Sequence, residues 1–118
     1  MMSTGMSTMK EIQTAVDILD CDNFLIAHST SSYPASYNEL NLRMINTLDS
    51  TYDCPIGYSG HEIGLSTTVS TIPLGVSFIE RHITLNRAMW GTDQSASLSE
   101  EGIKNLTLGT NQIYKKIK

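Results

Sequence analysis

The chain has 118 residues, of which 40% are hydrophobic and 17% charged, a composition typical of one ordinary globular domain. Its formal net charge of −4 argues against a nucleic-acid-binding protein, because such proteins carry a basic surface. No apolar run approaches the roughly 20 residues that a membrane-spanning helix needs, and the N-terminus lacks the features of a signal peptide. The two cysteines, Cys21 and Cys54, lack the spacing of a metal site, so we expect reduced thiols and a cytoplasmic location.

The first half of the sequence predicts two helix N-termini. Thr8 and Glu11 have the spacing of a capping box, and apolar residues follow at helical intervals, which predicts a helix over residues 8–20. Ser36 and Glu39 repeat this spacing and predict a second helix that ends near residue 49. A proline-closed loop rich in hydroxyl groups lies between them, at residues 29–35.

Three short apolar runs, at residues 24–28, 54–58 and 76–79, predict buried strands. Each run leads into a histidine, and these are His28, His61 and His82. Because the strands alternate with helices, we expect right-handed crossovers and a parallel sheet. The carboxyl ends of parallel strands lie on one side of a sheet, where α/β proteins place their chemistry.

The rest of the chain completes this alternation. Residues 65–74 predict a short helix with Pro73 at or beyond its end. The long irregular stretch at residues 86–97 contains Trp90 and is expected to be a functional loop. Ser99 caps a final helix whose apolar face includes Ile103, Leu106 and Ile113.

The strand-end histidines support two interpretations. His28 and His61 come from successive strands, and two neutral imidazoles there can bind one divalent ion and leave positions open for substrate and water. A histidine at a strand end can equally be a hydrogen-bonded structural group. In the same way, the hydroxyls and amides of residues 29–32 can hold a phosphate or carboxylate, or can simply satisfy the backbone of a turn.

Several charged and aromatic residues also have a functional and a structural interpretation. Glu62, Glu80 and Asp93 are candidates for acid–base chemistry or contacts with sugar hydroxyls, and each can instead be an ion-pair partner. Arg81 is expected to pair with Glu80 or Glu62. Trp90 can close over a ligand or simply pack.

At these positions the chain resembles the sialic acid (N-acetylneuraminate) synthase family. The matching motifs are STGM at residues 3–6, HSTSSYP at 28–34, NLR at 41–43, GYSGHEIG at 57–64, ERHITL at 80–85 and WGTDQSASL at 90–98. They cover essentially the whole chain. The resemblance implies a partial (β/α)8 TIM barrel, from the end of the fifth strand to the eighth helix. Residues 1–118 would be the second half of the synthase barrel, without the antifreeze-like C-terminal domain.

The resemblance also implies an activity and a set of site residues. The family condenses phosphoenolpyruvate with N-acetylmannosamine or its 6-phosphate and releases phosphate, with the help of Mn²⁺ or Mg²⁺. The implied metal ligands are His28 and His61, which with Glu62 are the expected catalytic residues. The residues expected to bind substrate are Ser29, Thr30, Ser32, Tyr33, Ser59 and Asp93.

The expected partners follow from the length of the chain. A TIM barrel needs on the order of 250 residues, so we expect activity only together with a complementing barrel half. The alternative is a non-catalytic half-barrel that binds metal or ligand and associates with itself, because half a barrel exposes strand edges and apolar surface. Neither a nucleic acid nor a membrane is expected as a partner.

Overall fold

The structure is a computed structural model that describes residues 1–19 and 23–117. Its four strands form one parallel sheet in chain order: β1 (Met2–Ser3), β2 (Ile26–Ser29), β3 (Ile56–Gly60) and β4 (Phe78–Arg81). The helices are α1 (Met9–Leu19), α2 (Met44–Thr51), α3 (Ser66–Ser70) and α4 (Glu100–Ile117), with 3₁₀ turns at Tyr37–Glu39 and Ile72–Leu74. The predicted α/β class with a parallel sheet is confirmed.

The first predicted helix start is confirmed at the level of individual atoms. The Thr8 amide donates to Glu11 Oε2 at 2.8 Å, and the Glu11 amide donates to Thr8 Oγ1 at 3.3 Å. These reciprocal bonds satisfy amides that the first turn of α1 leaves without a helical partner. The final helix also begins as predicted, with the Gly102 amide donating to Ser99 Oγ at 3.2 Å.

The second predicted helix start is wrong. Ser36 makes no capping hydrogen bond, and the segment after it forms only one 3₁₀ turn. Asn41 then adopts a left-handed conformation with φ +40°, which a continuous helix cannot contain. The α-helix therefore begins at Met44 with Arg43 as its N-cap, seven residues later than the capping-box pattern predicts.

The main core lies between the sheet and the helices α1 and α2. Its buried members are Ile12, Val16, Ile26, Ile45, Leu48, Tyr52, Ile56 and Tyr58. Ile12 and Val16 come from the predicted apolar face of α1, and Ile26 and Ile56 are neighbours in the sheet register. This packing fixes which face of each strand is turned toward the helices.

None of the helices among the described residues is both long enough and apolar enough to span a membrane. The predicted reduced state of the two cysteines stays a prediction, because Cys21 lies outside the described residues.

Candidate functional site

Side chains at the carboxyl ends of β3 and β4 alternate between two faces of the sheet. Ser59 and Glu80 are register partners, and Ser59 Oγ donates to Glu80 Oε2 at 2.5 Å, so both lie on one face. Because successive strand residues point to opposite faces, His61 and His82 continue this row two residues further on. This face is the one turned away from α1 and α2, since Tyr58, which belongs to the core, lies on the other face.

Three potential metal ligands meet at this point. Ligand atoms of His61, Glu80 and His82 all lie within 4.8 Å of one another, and all three residues are half-buried. The centroids of the two imidazole rings are 5.5 Å apart. Two imidazoles and one carboxylate are a donor set that binds divalent transition metals.

A hydrogen bond orients the His61 ring, and a carboxylate lies beside the His82 ring. His61 Nδ1 lies 2.6 Å from the carbonyl oxygen of Thr30, which can only accept, so Nδ1 carries the proton. The other ring nitrogen, Nε2, lies 3.4 Å from Ser59 Oγ, on the sheet face turned away from α1 and α2. His82 Nδ1 lies 3.4 Å from a carboxylate oxygen of Asp93. A ring whose Nδ1 is held by an oxygen acceptor is the usual arrangement for a histidine that binds metal through Nε2.

Tyr33 packs against both imidazoles. Its ring centroid lies 4.8 Å from that of His61 and 4.9 Å from that of His82. Burial raises the pKa of the Tyr33 phenol, which is therefore neutral at physiological pH. The ring thus forms an apolar wall beside the three-residue cluster.

Comparison with known proteins places the sequence in a family. The model of the NeuB family matches residues 1–118. This chain belongs to the NeuB family. It is 35% identical over 111 residues to an N,N'-diacetyllegionaminic acid synthase of Legionella pneumophila, covering 88% of this chain and 31% of that protein. It is 44% identical over 95 residues to the human N-acetylneuraminate-9-phosphate synthase, covering 80% of this chain and 26% of that protein.

A solved structure supports the fold. An N-acetylneuraminic acid synthetase of Leptospira borgpetersenii, in complex with citrate, superposes with a TM-score of 0.92 at 35% identity, covering 98% of this chain and 41% of that one. The predicted class, an α/β fold that is part of a TIM-barrel-type sheet, is confirmed by this likeness. The NeuB-family chain spans about a third of the length of the curated relatives it matches, at 31% and 26% of the two named above.

His28, one of the two predicted metal ligands, lies elsewhere in this NeuB-family chain. Its register partner is Tyr58, so its ring is on the helix-facing side of β2, and its Nε2 lies 2.8 Å from the carbonyl oxygen of Leu40. The residue is only 6% exposed, and burial lowers the pKa of the ring. His28 is not a member of the cluster formed by His61, Glu80 and His82. The pairing of His28 with His61 over one ion stays a prediction, and this geometry does not favour it.

Glu62, the third predicted catalytic residue, is fully enclosed at 0% exposure. Its carboxylate accepts hydrogen bonds from the Tyr58 hydroxyl at 2.9 Å, from Thr68 Oγ1 at 2.6 Å and from Arg81 Nη1 at 3.3 Å. The contact with Arg81 is the ion pair that the sequence indicates as one of two options. A carboxylate with three internal donors and no exposed surface has the surroundings of a structural group.

The predicted substrate-binding residues divide into two groups. Ser29, Thr30 and Ser32 line an open cavity of about 670 Å³ beside the start of α1, together with His28 and Glu39. There Ser32 Oγ donates to Glu39 Oε2 at 3.3 Å, and Ser29 Oγ lies 2.6 Å from Ser3 Oγ. Tyr33, Ser59 and Asp93 instead surround the histidine cluster. All six roles stay predictions.

His82 is the residue that the site prediction leaves out. It is visible in the sequence as the third strand-end histidine, two residues after Glu80. The spacing Ser59–His61 on one strand repeats as Glu80–His82 on the next. This shared period of two is the signal that places all four side chains on one face.

Proposed function

We propose that this chain contributes the carboxyl-terminal part of the catalytic barrel of a synthase that joins phosphoenolpyruvate to an N-acetylated amino sugar and releases phosphate. Membership of the NeuB family supports the reaction class. The observation that carries the proposal is the cluster of His61, Glu80 and His82 beside Ser59, on the sheet face turned away from the helices. The active species is proposed to include the remaining barrel strands, as a complementing half.

We propose that a divalent metal ion binds to His61, Glu80 and His82. The donor set fits such an ion, since Nδ1 of each ring faces an oxygen acceptor and three ligand atoms converge. Two nitrogen ligands favour Mn²⁺ over Mg²⁺, because Mg²⁺ prefers an all-oxygen shell. When bound, the ion would supply Lewis-acid polarisation of the sugar carbonyl.

The chain's own residues would order the substrates around that centre. Thr30 holds His61 in one tautomer through Nδ1, and Asp93 lies beside Nδ1 of His82, so Nε2 of each ring would be the metal-binding atom. Ser59 donates its hydroxyl proton to Glu80 and lies beside His61, where its oxygen can accept a hydrogen bond from a substrate hydroxyl. Tyr33 excludes water from one side of the two rings.

The reaction balances without an oxidant or reductant. Carbon 3 of phosphoenolpyruvate forms a bond to the aldehyde carbon of the open-chain sugar, whose oxygen gains a proton. Water adds to carbon 2, the bond from carbon 2 to the phosphate oxygen breaks, and the two protons of the water go to the sugar alkoxide and to the departing phosphate. The products are a nine-carbon keto acid, when the sugar is N-acetylmannosamine, and inorganic phosphate.

Mn²⁺ titration distinguishes two possible metal sites: the pair His28 and His61, and the cluster of His61, Glu80 and His82. We expect the wild-type chain to bind Mn²⁺, monitored by loss of the free-ion electron paramagnetic resonance signal, and His61→Ala and His82→Ala to bind at least tenfold more weakly. His28→Gln is expected to bind like wild type. If His28→Gln abolished binding while His82→Ala retained it, the site at His28 and His61 would be correct instead.

Activity requires a complementation assay. The chain would be mixed with a polypeptide carrying the other barrel strands of a relative, with phosphoenolpyruvate and either free or 6-phosphorylated N-acetylmannosamine. In ¹⁸O-labelled water we expect the label in the keto acid and none in the phosphate, because the carbon–oxygen bond breaks. Label in the phosphate, or no product from two folded halves, would refute the proposed function.

One observation favours a second candidate, the self-associating half-barrel. Leu85 and Trp90 are 99% and 94% exposed, and within the described part of the chain β1 and β4 are edge strands. Exposed apolar side chains and open edges favour association. Light scattering after size-exclusion chromatography tests this candidate, and a stable monomer at high concentration would exclude it.

The cytoplasmic location stays a prediction.

A further inference from the structure

A buried polar network lies directly behind the histidine cluster, on the helix-facing side of β3 and β4. It consists of Tyr58, Glu62, Thr68 and Arg81. The side chains of Arg81 and Glu62 are 3% and 0% exposed. Glu62 immediately follows His61 in sequence, and Arg81 immediately precedes His82. The network therefore holds the two positions that are covalently next to the two imidazoles.

Arg81 is bonded to the backbone as well as to the carboxylate. Its Nη2 donates to the carbonyl oxygen of Glu62 at 2.6 Å, and its Nη1 donates to the carbonyl oxygen of Gly64 at 2.9 Å. The carbonyl of Glu62 belongs to the turn that carries His61. A rigid guanidinium from β4 thus fixes the backbone that leaves β3.

Thr68 completes the network from α3. Its hydroxyl accepts from Arg81 Nη1 at 2.7 Å and donates to Glu62 Oε1 at 2.6 Å. The Thr68 hydroxyl therefore bridges the Arg81 guanidinium and the Glu62 carboxylate, accepting from the first and donating to the second. The Tyr58 hydroxyl satisfies the other carboxylate oxygen at 2.9 Å.

Stability alone is a weak reason for such an arrangement. Burying an ion pair costs desolvation that its attraction often fails to recover, so hydrophobic residues of similar size can be equally stabilising. A buried network does, however, define one geometry where apolar packing would allow several.

We propose that Glu62, Arg81 and Thr68 are positioning residues that fix the relative placement of His61 and His82 from behind the sheet. This inference rests on the proposed function, since the placement matters for the metal site. None of the three side chains belongs to the ligand cluster of His61, Glu80 and His82. They act through the backbone at the ends of β3 and β4.

The chain offers a matched pair of variants for the test. Thr68 lies in α3 and Thr71 directly follows that helix, and both are 0% exposed. The Thr71 hydroxyl donates to the carbonyl oxygen of Thr68 at 2.7 Å and makes no bond to Glu62 or Arg81 among those identified. Thr68→Val and Thr71→Val therefore remove the same group from equally buried places, one inside the network and one outside it.

The first measurement is Mn²⁺ affinity of the folded chain, with thermal unfolding recorded for every variant. We expect Thr68→Val and Arg81→Lys to weaken Mn²⁺ binding by about tenfold, the lower end for residues that orient metal ligands. Thr71→Val should keep wild-type affinity even if its melting temperature falls as much as that of Thr68→Val. Equal affinity in Thr68→Val, Arg81→Lys and Thr71→Val would overturn the inference.

The second measurement needs no metal. Nuclear Overhauser contacts of the Tyr33 ring with the rings of His61 and His82 report their placement directly, because the centroids are within 5 Å. We expect these contacts to weaken in Thr68→Val and to persist in Thr71→Val. If wild type bound no Mn²⁺ but this pattern held, the metal proposal would fail and the positioning role would stand. Unchanged contacts in Thr68→Val would overturn the positioning role whatever the metal result.

Discussion

Removal of the Glu62 carboxylate is the sharpest test of the buried network. In Glu62→Leu the Arg81 guanidinium would remain 3% exposed without its counter-ion, and the hydroxyls of Tyr58 and Thr68 would lose an acceptor. Removing one member of a buried ion pair costs about 3–5 kcal/mol. Since domains of this size are stable by roughly 5–15 kcal/mol, the loss would be a large fraction of the total.

Two companion variants separate charge from packing. Glu62→Gln keeps the size of the side chain and one acceptor for Arg81, so we expect it to cost only about 1–2 kcal/mol. The double variant Glu62→Leu with Arg81→Met removes both charges and should recover most of the loss, because no unpaired ion stays buried. Urea unfolding followed by circular dichroism measures the free energy of unfolding of wild type, Glu62→Leu, Glu62→Gln, Arg81→Met and the double variant.

Additive losses of stability in the double variant would refute the predicted coupling of Glu62 and Arg81. If the double variant lost as much stability as the two single changes together, Glu62 and Arg81 would not be coupled. A cost below about 1 kcal/mol for Glu62→Leu would show that the carboxylate is solvated in solution.

Three further predictions concern other parts of the fold. In Gly57→Ala the new Cβ would lie 2.5 Å from the Phe78 ring, so we expect a loss of about 1–3 kcal/mol by chemical denaturation. In Gly75→Ala there is space, but φ is +90°, so we expect about 1 kcal/mol from backbone strain, and no loss would mean that the turn differs. Burial lowers the pKa of His28 in the folded state, so its contribution to stability is fully present above about pH 6.5 and is lost as the pH falls through the folded pKa. Melting temperatures of His28→Gln should therefore fall less than those of wild type between pH 7 and pH 5, and parallel curves would exclude this source of acid sensitivity.

Much of the local structure was predictable because its causes are local. The reciprocal bonds of Thr8 and Glu11 depend only on a spacing of three residues, and they occur as predicted. The same spacing at Ser36 and Glu39 failed, because the left-handed backbone at Asn41 interrupts the segment before a helix can form. A capping pattern states where a helix can begin, and the following backbone decides whether it does.

The sequence by itself determined the alternation of strands and helices, the parallel sheet and the family motifs, because periodicity and short motifs are properties of the chain alone. Only the tertiary structure decided which histidines share a face. His28, His61 and His82 look alike as strand-end residues. His28, however, lies within β2 and is the register partner of Tyr58 in β3, whereas His61 and His82 extend the row of Ser59 and Glu80. A shift of one residue in a strand reverses the face of every side chain, and that register is fixed by long-range packing rather than by local sequence.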